Sequence, residues 1–401
     1  MLPKLRFREF KEQWELTLLG DVTSKIGSGS TPKGGSEVYQ STGIPFIRSQ
    51  NVNDNQLKLN DLAYISHEID EKMKGSRVEP NDILLNITGA SIGRSCVVPQ
   101  DFSKGNVNQH VCIIRLARGV PKFYQTYLSS QKGQNLINSS QSGSGREGLN
   151  FENIRNFKIY ACSKAEQLKI ADFLSSVDRK INLLNKQYEL LGQYKKGIIQ
   201  KIFNQKLRFK NENQKDFPAW NLVRLGDYLI KHNEKSTENN QYPVLTSSRG
   251  GIYFQRDYFN GEDVASKNNI GYNVVPNGYF TYRHMSDDLV FKFNINTICS
   301  KGIVSTLYPV FTTSLNKFFL QLKLNEGKEF RDYAIQQKQG GSRTYMYYSK
   351  LESLKLMIPT MDEQTKIANF ISAFDEKIVA KKIEMDSLKI WKQGLLQQMF
   401  I

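Results

Sequence analysis

Three short segments of the sequence combine aromatic rings with planar amide and guanidinium groups. They contain Arg48, Gln50 and Asn51, then Gln109 and His110, and finally Tyr282, Arg283 and His284. Side chains of these types can form paired hydrogen bonds with purine edges in a nucleic-acid groove. The alternative is that the rings belong to a core and the polar groups to solvated loops. We therefore treat these residues as candidates for reading bases.

Segments rich in glycine and serine that end in an arginine are candidates for contact with phosphate groups. The segment 89–94 has neither the spacing nor the Lys-Ser/Thr pair of a nucleotide-binding loop, so it predicts a non-catalytic contact. Two matched segments, 143–146 and 340–343, lie at an offset of 197 residues. The candidates are Ser91, Arg94, Ser144, Arg146, Ser342 and Arg343, with Arg249 as a further basic residue.

The motifs that an enzyme would need are absent from the sequence. The glycine clusters 27–29 and 143–145 lack the strand-before, helix-after context of a dinucleotide loop. No two prolines are adjacent, which excludes an adenine-methylating motif of the Asn-Pro-Pro-Tyr type. The four cysteines and four histidines are too scattered to suggest a zinc site or a disulfide framework. We therefore predict no catalysis, metal or cofactor in this chain.

The charge of the chain favours a polyanionic partner. Its 401 residues carry 55 Lys and Arg against 39 Asp and Glu, a formal net charge of +16. Nucleic acid or an acidic membrane surface would both suit this charge. No apolar stretch approaches the roughly 20 residues of a membrane helix, and the first residues lack an apolar signal segment. We expect a cytoplasmic protein of two or three domains with no membrane partner.

The sequence is a tandem repeat. Residues 167–181 and 364–378 match at nine of fifteen positions at an offset of 197. Trp14 and the Leu-Gly-Asp triplet 19–21 recur as Trp220 and residues 225–227. Self-similarity of this kind indicates two units of about 200 residues, each a globular part followed by a shared helical part.

Both helical parts predict long helices. Residues 163–166 and 360–363 each follow the Ser/Thr-x-x-Glu pattern of a capping box, in which the hydroxyl and the carboxylate bind first-turn N–H groups. Apolar residues then recur at 4-3 spacing, which predicts two helices that supercoil antiparallel about a pseudo-twofold axis. Lysines interrupt this seam, two of them at the equivalent positions Lys195 and Lys392. The apolar seam residues are Ile170, Leu174, Val177, Ile181, Leu184, Tyr188, Leu191, Ile198 and Ile202 in the first helix, and Ile367, Ile371, Phe374, Ile378, Met385, Leu388, Leu395 and Met399 in the second.

The globular parts contain short β-rich runs separated by Gly, Asn and Pro, with helices predicted near 120–138 and 325–337. The predicted fold class is α+β: two mixed, largely β domains joined by two long helices that form an antiparallel coiled coil. The predicted boundaries are 1–160 and 207–358 for the two domains, and 161–206 and 359–401 for the helical regions.

The combination resembles the specificity subunit of type I restriction-modification enzymes. The residues that carry the resemblance are Lys4 to Phe7, Trp14, the triplet 19–21, the turn 27–32 and the two helix openings 166–173 and 363–370. The likeness covers essentially the whole chain. It implies two target-recognition domains that each read one half of a split DNA sequence, while the helical regions set their spacing.

The resemblance also implies partners for this chain. These are double-stranded DNA, two modification subunits that bind S-adenosylmethionine, and two restriction subunits that use ATP and Mg²⁺. Helix faces outside the seam are expected to bind the partner subunits through Tyr194, Lys196, Ile199, Ile390, Trp391 and Leu396. Two alternatives remain: a coiled-coil scaffold whose basic domains bind RNA or another protein, and a stand-alone methyltransferase or nuclease.

Overall fold

A computed structural model describes residues 1–141, 148–261, 268–338 and 342–401. The chain divides into two compact units. Unit 1 contains Met1–Lys186 and Lys382–Ile401, and unit 2 contains Gln187–Lys381. Each unit therefore combines one globular part with portions of both helical regions. The four-part division of the sequence stays a prediction, since the units follow packing and not sequence order.

In the described part of unit 1, eleven strands and four short α-helices precede the first long helix. The strands are β1 (Glu15–Leu18), β2 (Thr23–Ser28), β3 (Ile44–Ile47), β4 (Val52–Asn53), β5 (Gln56–Leu57), β6 (Ala63–Ile65), β7 (Ile83–Asn86), β8 (Ser95–Val97), β9 (Asn106–Val107), β10 (Val111–Leu116) and β11 (Lys158–Ala161). The helices are α1 (His67–Lys72), α2 (Pro121–Ser129), α3 (Gln131–Ser139), α4 (Phe151–Arg155) and the long α5 (Lys164–Phe203).

The elements after α5 repeat this layout up to the second long helix. The strands are β12 (Asn221–Arg224), β13 (Leu229–His232), β14 (Leu245–Ser248), β15 (Gly251–Phe254), β16 (Asn273–Pro276), β17 (Phe280–Thr281), β18 (Met285–Ser286), β19 (Asn294–Ile295), β20 (Lys301–Val304), β21 (Val310–Thr313), β22 (Thr344–Tyr345) and β23 (Lys355–Ile358). The helices are α6 (Gln255–Tyr258), α7 (Lys317–Glu326), α8 (Lys328–Gln336), α9 (Tyr348–Glu352) and the long α10 (Met361–Met399).

Two sheets of unit 1 have counterparts in unit 2. A two-stranded antiparallel sheet closes each globular part, β1 with β11 in unit 1 and β12 with β23 in unit 2. A four-stranded sheet forms the centre of each, in the order β2-β10-β7-β8 and β13-β21-β17-β19. The repeat predicted from sequence is therefore a repeat of structure. The α+β class is confirmed as well.

Helix is present near both segments where it was predicted, although each region contains two helices. The helix expected near 120–138 is two helices, because Ser130 caps α3: its Oγ accepts a hydrogen bond from Gly133 N at 3.2 Å. The helix expected at 325–337 is α8, and a further helix, α7, precedes it. None of the helices in the described ranges is long and apolar enough to cross a membrane.

The long helices pair antiparallel within each unit along the predicted seam. In unit 1 the start of α5 packs against the end of α10, and the cluster that contains Ile170 and Leu174 also contains Leu395 and Met399. In unit 2 the end of α5 packs against the start of α10, with Ile198 and Ile202 in one cluster with Ile367 and Ile371. The 4-3 pattern thus identified the buried faces correctly.

The two lysines at equivalent seam positions make equivalent ion pairs. Lys392 Nζ lies 2.5 Å from Asp178 Oδ1 in unit 1, and Lys195 Nζ pairs with Asp375 in unit 2. Both pairs join the two helices, and both partners repeat at the offset of 197. Each of these two lysines in the apolar seam is therefore neutralised by a carboxylate from the facing helix.

A buried glutamate near the start of each long helix ties the segment that precedes the globular part to the helix. Glu166 accepts two hydrogen bonds from Arg6, at 2.7 Å each, and a third from Trp14 Nε1 at 3.3 Å. In unit 2 Glu363 accepts the same three bonds from Arg208 and Trp220. We call each Arg–Glu–Trp set a clasp.

The clasps correct the predicted capping boxes. The helices do begin where the pattern predicted, and Ser163 Oγ accepts from Glu166 N at 3.4 Å. The glutamate side chains, however, bind arginine and tryptophan instead of first-turn N–H groups. The reason is charge: a buried carboxylate is stabilised far more by a guanidinium than by a neutral amide.

Candidate nucleic-acid interface

The candidate residues of unit 1 that the structure describes lie on three turns that meet at one end of its sheets. The turn 48–51 follows β3, the segment 87–94 follows β7, and residues 108–110 precede β10. Backbone hydrogen bonds hold the turns together: Asn108 N donates to Ile47 O at 3.1 Å, and Ile87 N donates to His110 O at 3.0 Å. Asn86 Nδ2 donates to Ser49 O at 2.9 Å, which ties the first turn to the second.

A chain of four polar side chains crosses this end of unit 1. Thr31 Oγ1 donates to Gln109 Oε1, Gln109 Nε2 lies 3.0 Å from His110 Nε2, and His110 Nδ1 lies 2.6 Å from Thr88 Oγ1. Gln109 is exposed, and these contacts restrict its amide to one plane. An exposed amide with a fixed plane can present a donor and an acceptor side by side, as adenine readout requires.

The first turn contributes one buried and two accessible side chains. Gln50 is exposed and donates to Asp61 Oδ2 at 2.9 Å, while Arg48 is half-buried and its guanidinium lies 5.8 Å from the Tyr39 ring centre. Asn51 is buried; its Oδ1 accepts from Arg48 N and its Nδ2 donates to Lys58 O. The expectation for Asn51 is corrected, because its amide is used to form the turn.

The predicted phosphate contacts of unit 1 are only partly described. Arg94 is exposed and Ser91 half-buried, on the segment between β7 and β8. A backbone hydrogen bond joins the two ends of this segment: Asn86 N donates to Arg94 O at 2.8 Å. Ser144 and Arg146 lie outside the described residues.

Unit 2 also brings its candidates together, but Tyr282 is not among the accessible ones. The Tyr282 ring is fully buried against Phe293 and Phe311, and its hydroxyl donates to Met346 O at 2.9 Å. Burial raises the pKa of this hydroxyl well above its usual value. The expectation for Tyr282 is corrected, since it is a core residue that supports its neighbours Arg283 and His284.

The next two residues lead to an aromatic group at the surface. Arg283 is exposed, and the half-buried His284 ring lies 5.1 Å from the ring of Tyr347 and 6.0 Å from that of Tyr345. The two tyrosine rings are stacked 5.6 Å apart. Burial, followed by the charge of Arg283, lowers the pKa of His284 below its usual value.

Two adjacent aspartates beside this aromatic group each hold an arginine. Arg343 Nε donates to Asp287 Oδ1 at 2.8 Å, and Arg249 Nη2 donates to both oxygens of Asp288 at 2.7 and 2.8 Å. The hydrogen bond from Arg249 is also the main reason that the pKa of Asp288 is lowered. Asp287 lines one hollow of about 320 Å³ with Arg249 and Arg283, and a second hollow with Ser342 and Arg343.

The predicted partner-binding residues divide into exposed and buried sets. Tyr194 is 60% exposed and Trp391 is 49% exposed, and Ile390 and Lys196 are exposed too. Ile199 and Leu396 are buried in the cores of units 2 and 1. The expectations for these two are corrected: each follows a seam residue directly, and the globular part of its unit covers that side of the helix.

Several residues of these surfaces were not predicted from sequence. Thr31 and Thr88 complete the polar chain of unit 1, and Asp287 and Asp288 orient the arginines of unit 2. Single threonines carry no recognisable signal in a sequence. The adjacent aspartates next to an Arg-His pair were a possible signal, but an acidic residue is not what a search for anion-binding sites selects.

The comparison with protein families gives a match over most of the chain. The family model of the type I restriction modification DNA specificity domain matches residues 11–193 and again residues 219–385. A putative type I restriction enzyme MjaX specificity subunit from Methanocaldococcus jannaschii is 23% identical, over 98% of this chain and 94% of the relative. The type I restriction enzyme EcoBI specificity subunit from Escherichia coli is 31% identical, over 43% of this chain and 38% of the relative.

Solved structures support the same fold. The crystal structure of a type I restriction-modification S subunit from M. genitalium aligns over 100% of this chain and 99% of its own, with a TM-score of 0.57 and 14% identity. A chain from a study of complex assembly in the type I R-M system aligns over 98% of both chains with a TM-score of 0.56. With both of its globular parts matched by the family model, the chain belongs to the type I restriction-modification DNA specificity family.

Proposed function

We propose that this chain is the specificity subunit of a type I restriction-modification enzyme. The globular part of each unit reads one half of a bipartite target in double-stranded DNA. The observation that carries the proposal is that one repeated scaffold, with equivalent closing and central sheets and the same clasp, presents two different polar surfaces. The unit 1 surface is built from amides around His110, and the unit 2 surface from arginines around Asp287 and Asp288. Different surfaces on equivalent scaffolds are what an asymmetric target requires.

The chain contributes recognition and no catalysis. Modification subunits would supply S-adenosylmethionine and methylate adenine, and restriction subunits would supply ATP and Mg²⁺ chemistry, two copies of each. The site of action is then the cytoplasm, where the DNA of a cell without a nucleus lies. Among the described residues no cluster of His, Cys, Asp and Glu is arranged to hold a metal ion, and the proposal needs none in this chain.

Equivalent aromatic rows on the two units are proposed as the docking sites for the modification subunits. In unit 1 the row is Phe7, Phe173 and Trp391, with neighbouring ring centres 5.8 and 6.2 Å apart. In unit 2 it is Phe209, Phe370, Phe374 and Tyr194, with neighbouring ring centres 5.2, 5.1 and 5.6 Å apart. Two equivalent rows suit two copies of one partner, and exposed aromatic anchors are typical of such interfaces.

An exchange of one globular part tests the proposed function. Replacing residues 14–158 by the matching part of a family member with another target should change one half-site and leave the other unchanged. The readout is the map of methylated adenines in cells that express the chimera with its modification subunits. A chimera that folds and methylates but changes both halves contradicts modular reading. An unchanged target contradicts the role of this surface.

A further inference from the structure

The guanidinium of Arg343 is fixed through Nε, and its two terminal nitrogens remain available for a ligand. Its Nε donates to Asp287 Oδ1 at 2.8 Å. Among the residues that the structure describes, neither terminal nitrogen of the guanidinium has a hydrogen-bond partner, and the side chain is 52% exposed. A guanidinium fixed through Nε keeps two parallel N–H donors directed outward. This is the geometry that pairs with O6 and N7 of guanine.

Arg249 provides a contrast within the same surface. Its Nη2 donates to both carboxylate oxygens of Asp288, so the carboxylate occupies the terminal end of the guanidinium. Ser286 Oγ also donates to Asp288 Oδ1 at 3.0 Å, which fixes the carboxylate in turn. Arg249 therefore has a fixed position but offers fewer free donors than Arg343.

The charge of the surface argues against a simple phosphate contact at Arg343. A phosphate contact gains most from an unpaired cation, because the gain comes from neutralising the backbone and releasing counterions. The Arg343–Asp287 pair has no net charge, and the exposed carboxylate would repel a phosphate. Paired hydrogen bonds to a base edge instead require a guanidinium of fixed orientation, and the carboxylate of Asp287 fixes it. The sequence suggested a phosphate contact for Arg343, and the geometry favours a base.

We propose that Arg343 reads a guanine in the half-site recognised by unit 2, and that Asp287 is the residue that positions it. The inference rests on the proposed function and adds to it the base read and the pair of residues responsible. Tyr345, whose ring is stacked with that of Tyr347, lines the same hollow as Asp287 and Arg343 and adds an aromatic face beside the pair.

Binding of single-substituted duplexes tests the proposal. The full chain, in complex with its modification subunits, is titrated with the mapped target and with duplexes in which each G·C pair is replaced by A·T. The wild type should lose about 10- to 100-fold in affinity at one G·C pair of the unit 2 half-site. Arg343→Lys keeps the charge but not the paired donors, so it should lose this discrimination at that pair alone. Discrimination in the unit 1 half-site should persist and serves as the folding control.

Asp287→Ala separates positioning from a merely structural role. It should reduce discrimination at the same G·C pair several-fold, while binding to unrelated DNA stays equal or strengthens because a negative charge has been removed. Damage to the fold would weaken both. Asp287→Asn retains an acceptor for Nε and should restore most of the discrimination. Asp332→Ala, which breaks the exposed pair with Lys328 on α8 of the same unit, removes the same charge as Asp287→Ala; it is the matched control and should leave the discrimination unchanged.

The outcomes distinguish failure of the inference about Arg343 from failure of the proposed function. If Arg343→Lys retains the wild-type discrimination at every pair, or loses affinity equally for all sequences, Arg343 does not read a base and the inference is wrong while the proposed function stands. If the wild type discriminates no pair in either half, the proposed function fails and the inference fails with it.

Discussion

The buried carboxylate of Glu166 is the shared partner of both other residues in the clasp of unit 1. It is 1% exposed, and it is the counter-ion of Arg6 and the acceptor for the buried Trp14 indole. Its hydrogen bonds are also the main cause of the raised pKa of Arg6. Removing one member of a buried ion pair leaves the other charge without a partner, which costs more than the pair itself contributes.

We expect Glu166→Gln to destabilise unit 1 by about 3 kcal/mol, as is typical of a broken buried pair. Glu363→Gln should act similarly in unit 2. The measurement is the free energy of unfolding in denaturant. Glu9→Gln is the control, because Glu9 pairs with Lys169 at the surface, where solvent screens the two charges and the pair contributes little to stability. Equal effects of Glu166→Gln and Glu9→Gln would show that the clasp is not a stabilising contact.

His284 predicts a pH dependence for unit 2. Its folded-state pKa is lowered, mainly by burial, so the unfolded chain binds the proton more readily. The stabilisation is therefore complete above the unfolded pKa of about 6.5 and is lost as the pH falls through the folded value. We expect the unfolding free energy to decrease from pH 7.5 to pH 5.5 more steeply in the wild type than in His284→Gln. The exposed His67→Gln is the control, and identical slopes in the wild type and His284→Gln would contradict the prediction.

The candidate site shows what residue types alone can and cannot predict. Gln109, Arg283 and Arg343, whose residue types make them candidates for contact with DNA, are all exposed, and their roles stay predictions. Asn51 and Tyr282 were candidates on the same grounds but are buried, and only the fold reveals that a turn and a core hydrogen bond already use their polar groups. Sequence thus indicates which side chains are able to read bases, and packing decides which ones are accessible.

At the scale of elements, the long helices were the most predictable part of the chain. Their 4-3 periodicity is a local property, and a buried seam leaves little choice of face. The small sheets were harder, because strands of two to six residues carry a weak pattern and their partners lie far away in sequence. Strand β17 pairs with β19 and β21, for example, and both pairings depend on tertiary contacts.

The aromatic rows on the long helices lead to a prediction about the number of modification subunits that the chain binds. We expect Trp391→Ala or Tyr194→Ala to leave a complex with one modification subunit instead of two, and the double variant to bind none with comparable affinity. Native mass spectrometry or light scattering of the assembled complex measures the stoichiometry. Ile335→Ala, which removes an equally exposed apolar side chain from α8, should keep two copies bound. Two copies on the double variant would place the docking sites elsewhere.

At the scale of the whole molecule, both long helices pass from one compact unit to the other. The unit boundaries fall at Lys186–Gln187 in α5 and at Lys381–Lys382 in α10. Each unit thus contains one of the two surfaces proposed to read a half-site, together with part of both long helices. If each surface reads one half-site, the number of base pairs between the half-sites should depend on helix length and not on the sequence of the globular parts.

Insertion of seven residues at both boundaries tests this dependence. One heptad returns a coiled-coil helix to the same face, so the seams of both units keep their packing while each helix gains about 10 Å. At about 3.4 Å per base pair, the spacer should lengthen by up to about three pairs, and the half-site bases should stay the same. An insertion of five residues rotates the seam out of register and should abolish folding of the assembled subunit. Methylated adenines mapped in cells that express the seven-residue variant give the result. An active enzyme that retains the original spacer would show that the helices do not determine the spacing, and would limit their role to binding the partner subunits.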